Sequence, residues 1–261
     1  MQAGRRERDG SCEAVSSPAT AQRRSVRAMA SKSWVDRLGA FSGVGFVVAT
    51  FVGSSISTAG GSQSNNPTGA QALSDLQRVA GSSSALVGMY IEILGFALFA
   101  FFVGYLYSRL RAAEAGQGWL APVTLSAGAV MLAVKLASGA PLAAGLLAAP
   151  TLSPETARLL TDMNNASFVI SWLPFGVFLV AAGFGSVVTG LTRAWLGWTG
   201  AALGILSIAA ITTGGHGFVN ANPLPFLLGL LWVAILGAVL GLRRRRVPES
   251  AVARQAVPAG V

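Results

Sequence analysis

Long apolar runs alternate with short polar segments along this chain. Six runs are long enough to cross the roughly 30 Å hydrocarbon core of a bilayer, which takes about 20 helical residues. They cover residues 38–58, 85–107, 119–139, 166–189, 195–214 and 222–242. Lipid offers the backbone no hydrogen-bond partner, so each run is expected to be a helix. The pattern predicts an all-α fold, a polytopic transmembrane helical bundle of about six spans.

The membrane domain is predicted to lie between two basic tails. It covers residues 36–243, and residues 244–261 form a basic C-terminal tail. Residues 1–35 are rich in Arg, Ser, Ala and Gln without apolar periodicity, which predicts a disordered basic N-terminal tail.

The start of the chain allows two alternatives. Met29 opens a compact basic sequence, so we expect that translation can begin there and not at Met1. From Met29 onward, the first span also has the basic flank and weak apolar core of a signal peptide. Asp36 in that flank and an apolar length of about 20 residues favour a retained span over a cleaved one.

The distribution of charge adds an orientation to the six spans. Charged residues make up only 11% of the chain, against about 25% in soluble domains. Of the 19 Lys and Arg residues, 16 fall on one side of the predicted bundle, while Arg78 and Arg158 fall on the other and Lys135 lies within span three. Basic residues accumulate on the cytoplasmic side of membrane proteins, so both termini are predicted to be cytoplasmic. The net charge of +9 is explained by topology and indicates no nucleic-acid partner.

Two segments on the predicted outer side are expected to form short helices. Ser153, Pro154 and Glu155 have the pattern of an N-cap, a first-turn proline and an acidic first turn. Residues 69–80 place apolar side chains on one face in the same way. An apolar stretch at 142–149, flanked by prolines, is too short to span. It is either an interfacial or re-entrant piece or an extension of span three.

Two charges, Glu92 and Lys135, lie within the predicted spans. Spans two and three form a hairpin with its turn near Ala113, and the two charges are 21 residues before and 22 residues after that point. Helices rise equally per residue, so both charges are predicted to lie at nearly the same depth, roughly 10 Å inside the outer boundary.

Small side chains accompany both charges. The residues that share a helical face with one of them are Ala85, Gly88 and Gly95 on span two and Thr124, Gly128 and Ser138 on span three. Such faces let helices approach closely, so we predict an intramembrane Glu92–Lys135 ion pair. Ionisable groups inside a membrane indicate a functional site by default, here for proton or solute movement. Two alternatives stay open: a structural pair that fixes helix register, and a Lys135 that extends unpaired to the interface.

Pro174 and His216 are further candidates. Pro174 interrupts span four and is expected to kink it by freeing the carbonyl of Ile170. Broken helices build binding sites in transporters, although they also occur where nothing binds. His216 is the only histidine, at the outer end of span five. It is a candidate pH-responsive group, because an unperturbed histidine has a pKa near ~6.5; a solvated loop histidine is the alternative.

An enzyme would need a nucleophile beside a base. Ser54 or Ser55 with His216 is the available dyad, but the sequence around it lacks the Gly-x-Ser-Gly pattern of the rhomboid family. Zinc-protease and phosphate-loop motifs are also missing. The single Cys12 excludes an intrachain disulfide. The sequence therefore predicts no enzyme, no cofactor and no metal site.

Two further patterns concern partners. A basic cluster that follows span six is expected to contact anionic lipid; it comprises Arg243, Arg244, Arg245 and Arg246. Small-xxx-small motifs at 39–43, 200–204 and 237–241 favour tight helix packing, either within the chain or between copies in a homo-oligomer.

Four short motifs carry a resemblance. They are Tyr90-Ile91-Glu92-Ile93-Leu94-Gly95-Phe96, Arg109-Leu110-Arg111, Trp119-Leu120-Ala121 and Trp195-Leu196-Gly197-Trp198. With them, residues 38–242 resemble an uncharacterised family of multi-pass bacterial integral membrane proteins. The resemblance implies a bacterial cell-membrane location and no assigned activity, and it supplies no catalytic residue.

The sequence thus leads to a functional hypothesis centred on Glu92 and Lys135. The chain is expected to be a non-enzymatic integral membrane protein, in the sharper form a small transporter-like protein in which these two residues form a coupling pair. A structural or partner-binding membrane protein without transport is the first alternative, and an intramembrane hydrolase the second. A cavity that reaches Glu92 would favour transport, whereas a dry, fully packed core would favour the structural role.

Overall fold

The computed structural model describes residues 18–61, 66–115, 118–212 and 222–243. Its helices are α1 (Pro18–Thr58), α2 (Gly69–Ala80), α3 (Ser83–Ala113), α4 (Leu120–Ala148), α5 (Pro154–Ile170), α6 (Trp172–Val188), α7 (Ala194–Thr212) and α8 (Leu224–Leu242). Within these described ranges, six segments are long and apolar enough to cross a membrane, with α5 and α6 counted together. The predicted all-α bundle of six spans is confirmed, and the protein is a membrane protein.

The N-terminal boundary corrects the prediction of disorder up to residue 35. Helix α1 begins at Pro18 and continues without a break to Thr58. No proline or glycine interrupts residues 19–38, and this segment is rich in Ala, Arg and Gln, which favour helix. A preformed span also removes the cost of nucleating a new helix. The chain divides into two units between Asp36 and Arg37.

The α3–α4 hairpin places its turn where the sequence predicted it. Helix α3 ends at Ala113, and the Glu114 carboxylate accepts the backbone N–H groups of Leu120 and Ala121 at 3.2 and 3.3 Å, which caps the start of α4. Helix α4 then continues through Pro141 to Ala148, beyond the predicted end at residue 139. The stretch at 142–149 is therefore an extension of span three. We call the hairpin-turn end of the bundle the basic end and the opposite end the α2 end.

Helix α2 and the first half of α5 pack together at the α2 end. The Thr68 side chain and Gln71 form a reciprocal capping box at the start of α2. Ser153 caps α5 ahead of Pro154, and this cap was predicted from the sequence. The two helices bury Leu76 and its neighbours on the end of α4. Helix α5 is longer than the short outer helix that the sequence predicted. It continues to Ile170 and enters the membrane.

The break predicted at Pro174 separates α5 from α6. Helix α5 ends at Ile170, and α6 starts at Trp172 with Ser171 between them. The N–H of Ser171 donates to both Ser167 and Phe168 carbonyls at 3.1 Å, which tightens the last turn. A proline in the first turn of α6 lacks an N–H that a continuous helix would use, so the backbone changes direction here.

Glycines bring α6 and α7 into backbone contact along their length. A Cβ atom added at Gly183 would lie 2.5 Å from the Gly197 carbonyl oxygen, and one added at Gly176 would lie 2.7 Å from that of Gly204. These two contacts are seven residues apart on both helices, so the interface is closed over two turns. The motif at 200–204 therefore serves packing within the chain, as do those at 39–43, against α3, and at 237–241, against α1.

A layer of phenylalanine rings fills the half of the bundle nearer the basic end. Phe46 contacts Phe99 at a centroid distance of 4.6 Å, and Phe99 contacts Phe178 at 5.3 Å. All three rings are fully buried, and Leu106 and Leu110 below them are as well. The named side chains in this half of the bundle are closely packed.

Candidate functional site

A cavity of about 120 Å³ lies between α1, α3, α4, α5 and α8 in the half nearer the α2 end. Four polar side chains reach it: Thr50, Ser54, Glu92 and Lys135. The rest of its wall is aromatic or aliphatic, and comprises Phe46, Phe51, Phe96, Met131, Phe168, Phe226, Leu227 and Leu230. A space of this size accommodates several waters or a small head group. The two intramembrane charges singled out in the sequence therefore share one cavity.

Helix α3 holds Glu92 on its packed face. Ala85, Gly88 and Gly95, which share this face, are buried, and Glu92 itself is half-buried. Gly53 of α1 faces Gly88 so closely that a Cβ atom at Gly53 would lie 2.6 Å from the Gly88 carbonyl oxygen and 2.7 Å from the Glu92 nitrogen. This glycine crossing fixes α1 against α3 within one turn of the carboxylate.

Helix α4 holds Lys135 in the same way. Thr124, Gly128 and Ser138 are buried on the face that carries the lysine, as the sequence predicted. The Lys135 ammonium lies over the Phe168 ring at 4.4 Å from its centroid and over the Phe96 ring at 5.6 Å. Cation–π attraction of this kind is worth ~0.5–2 kcal/mol, more where water is excluded. The two rings therefore fix the position of the ammonium.

The predicted Glu92–Lys135 ion pair needs a correction. Among the described residues, the ion pairs closed within 4.0 Å include Asp75–Arg78 and Arg158–Asp162, and neither Glu92 nor Lys135 takes part in such a pair. The ammonium lies over the rings of Phe96 and Phe168 instead. The result is an open pair: opposite charges that face one cavity without contact.

Two hydroxyl groups on α1 complete the polar part of the wall. Phe46, Thr50 and Ser54 are spaced four residues apart and share one helical face. The Thr50 Oγ1 atom is buried and has no hydrogen-bond partner among the described residues. An unsatisfied buried hydroxyl costs free energy, which makes it a ready partner for a bound polar group. Thr50 was not predicted from the sequence, although its four-residue spacing from Ser54 indicated that the two hydroxyl groups share a helical face.

Of the other residues singled out in the sequence, Ser54 alone lines the cavity, and the rest lie away from it or outside the described residues. Ser55 is exposed, and Ser54 lines the cavity. His216 lies outside the described residues, so the hydrolase dyad and the pH-responsive role stay predictions. Arg243 donates to the Leu191 carbonyl at the α6–α7 turn. The remaining arginines of its cluster, Arg244, Arg245 and Arg246, also lie outside the described residues.

Comparisons of this chain with protein-family models, with curated proteins and with solved structures find no match.

Proposed function

We propose that the protein is a small non-enzymatic transporter in which Glu92 and Lys135 bind a solute between them and Glu92 exchanges a proton. One observation carries the proposal: the carboxylate and the ammonium face a single cavity without closing on each other. Buried opposite charges that serve only stability gain most when they touch and are fully hydrogen-bonded. A gap between them suits a ligand that has both a hydrogen-bond donor and an acceptor.

The chemistry of the two groups gives a coupling mechanism. An ionised carboxylate only accepts hydrogen bonds, and an ammonium only donates them. A solute with a cationic donor and an anionic acceptor satisfies both at once. Protonation of Glu92 removes the negative charge and therefore releases the cationic end of the solute. Proton and solute compete for Glu92, which is the requirement for exchange of one against the other.

The packing of the bundle fits a site that opens on one side only. The ring layer of Phe46, Phe99 and Phe178 lies between the cavity and the basic end. Carriers expose a central site to one side at a time, commonly by movement of one group of helices against another. The break at Ser171 and the proline at position 141 within the continuous helix α4 are positions where α6 and the end of α4 can change angle.

Proton movement in reconstituted vesicles tests this function. Liposomes of mixed zwitterionic and anionic lipid, with an entrapped pH-sensitive dye, would receive a pH gradient with and without external glycine and β-alanine. We expect the wild-type protein to dissipate the gradient faster than protein-free vesicles in at least one condition. Glu92→Gln should abolish this flux, because the amide cannot carry the proton. Asp162→Asn is the matched control, because it removes an exposed carboxylate outside the cavity.

Two results would overturn the proposal. One is a wild-type rate equal to that of protein-free vesicles in both conditions. The other is undiminished flux in Glu92→Gln. A variant that lowers only the stability of the protein would support a structural role for the charges.

The proposal also includes the type of membrane and the orientation of the protein within it. The excess of basic residues at the basic end supports cytoplasmic termini in a bacterial cell membrane, and the motif resemblance supports an uncharacterised family of such proteins. Cys12 is the only cysteine, so a membrane-impermeant maleimide applied to intact cells reports its side directly. We expect no labelling of Cys12, and labelling of Thr151→Cys in a Cys12→Ser background. The reverse pattern would invert the topology.

A further inference from the structure

Helices α1 and α8 touch near the basic end, and both line the cavity further along. Near the basic end, a Cβ atom at Gly237 would lie 2.6 Å from the Ala40 carbonyl oxygen, and one at Gly241 would lie 2.9 Å from the Phe41 ring. Further along both helices, Phe51 and Leu227 border the cavity. The cavity therefore lies beside an α1–α8 pair whose glycine contacts are near the basic end.

The border of the cavity between α1 and α8 is apolar and exposed. Phe51 is 45% exposed and Leu227 is 37% exposed. Both residues belong to membrane-crossing segments, Trp34–Thr58 and Leu224–Leu242. An exposed apolar side chain within a membrane span contacts acyl chains. We call this border the lateral mouth (Phe51 and Leu227), because its two side chains line the cavity and are also exposed on the surface of the bundle.

The interior of the cavity has the opposite character. Glu92 and Lys135 face it, and in their ionised forms their two charges cancel. The complementary head group is a zwitterion, whose anionic oxygen accepts from Lys135 and whose cation donates to Glu92. The hydroxyl of Thr50 adds a third polar contact. A head group of this kind with an apolar tail would satisfy the cavity and the lateral mouth together.

We infer that the cavity binds the head group of a zwitterionic lipid with a primary ammonium, of the phosphatidylethanolamine type, which enters between α1 and α8. The phosphate accepts from the Lys135 ammonium, the primary ammonium donates to the Glu92 carboxylate, and the acyl chains stay outside, across Phe51 and Leu227. A quaternary ammonium has the same charge but no N–H to donate, so a choline head group binds more weakly. This inference deepens the proposed function, on which it rests, by naming the class of solute.

Photo-crosslinking of lipid to the full-length protein tests the inference. Nanodiscs would contain phosphatidylethanolamine or phosphatidylcholine with a photoreactive group at the start of one acyl chain, and adducts would be mapped by mass spectrometry. We expect phosphatidylethanolamine to label the peptides of α1 and α8 around Phe51 and Leu227, and unlabelled phosphatidylethanolamine to compete. Glu92→Gln should reduce this labelling about tenfold, to the level of phosphatidylcholine, through loss of a charge-assisted hydrogen bond.

Two tryptophan variants of α8 form a matched pair that does not touch the charges. Leu227→Trp fills the lateral mouth and should reduce labelling as strongly as Glu92→Gln does. Leu231→Trp changes a leucine that is also exposed but does not line the cavity, and should leave labelling unchanged. This pair keeps the test decisive if Glu92→Gln fails to fold.

Equal labelling by both lipids, unaffected by Glu92→Gln and Leu227→Trp, would identify ordinary boundary lipid and overturn the inference. Competition by free glycine or β-alanine, with no preference between the lipids, would identify a water-soluble zwitterion and overturn it as well. The proposed function is judged separately, by proton flux. Specific labelling without proton flux would support the lipid-binding site and contradict transport. Proton flux without specific labelling would support transport and contradict the lipid-binding site.

Discussion

Two pairs of helices in this bundle differ in how far their small residues extend. The α6–α7 pair has glycine contacts at two levels, Gly176 with Gly204 and Gly183 with Gly197, and it stays closed between them. The α1–α8 pair has contacts of this kind only near the basic end, at Gly237 and Gly241. Beyond these contacts, residues of both helices line the cavity. In a lipid environment without a hydrophobic driving force, close packing decides whether a helix pair closes.

The largest expected effect lies at the closed pair. In Gly183→Val, the added Cβ meets the Gly197 carbonyl oxygen at 2.5 Å and the Ala201 nitrogen at 2.7 Å, so two backbones must move apart. We expect a loss of about 3 kcal/mol in the free energy of unfolding, measured in mixed micelles with increasing denaturing detergent.

A valine at Gly237 sharpens the same comparison. Gly237→Val also meets a backbone oxygen, that of Ala40 at 2.6 Å, but we expect α8 to tilt more easily because the other end of the α1–α8 pair borders the cavity. We expect a smaller loss of about 1 kcal/mol. Gly104→Ala is the control for both, since its Cβ meets nothing within 4 Å. Equal losses at Gly183 and Gly237 would contradict the comparison.

The open charge pair should show coupling of intermediate size. Glu92→Gln leaves the Lys135 ammonium without its opposite charge, and Lys135→Met leaves the carboxylate alone. We expect each single variant to be less stable than the wild type and the double variant to recover part of the loss, with a coupling energy of about 1 kcal/mol. A double-mutant cycle in the same unfolding assay measures it. Additive effects would mean that the charges act independently.

The smallest effect has the opposite sign. Thr50→Val replaces a buried hydroxyl that lacks a partner with a methyl group of similar size. We expect the stability to rise by up to about 1 kcal/mol, because an unsatisfied polar group is removed. The same variant should weaken zwitterion binding if the hydroxyl contacts the ligand. A loss of stability would show that Thr50 has a partner within the protein.

The faces that hold the charges could be predicted because they depend on local rules. Helical periodicity placed Glu92 with Gly88 and Gly95, and equal rise along the hairpin placed Lys135 at a matching depth. The gap between the charges could not be predicted in this way. It depends on Phe168, which is 33 residues from Lys135 and reaches the ammonium through the packing of α5. No rule of spacing within one hairpin includes that ring.

The lateral mouth could not be predicted from the sequence for a similar reason. Phe51 and Leu227 look like ordinary apolar positions in their own spans, and only the relative placement of α1 and α8 makes them a border. The helical start at Pro18 was missed because composition suggested disorder, whereas continuity with a span favours helix. The N-caps at Thr68 and Ser153 depend only on their next three residues; Ser153 was predicted from this pattern and is confirmed.

The most direct test of the central claim is the space between the Glu92 carboxylate and the Lys135 ammonium. An experimental density map of the protein in nanodiscs, at a resolution that shows ordered waters, measures that distance and what lies in it. We predict that the carboxylate and the ammonium lie more than about 4 Å apart, which is the limit for an ion pair, with water or a lipid head group between them. A carboxylate in direct contact with the ammonium, with the cavity collapsed around them, would contradict it.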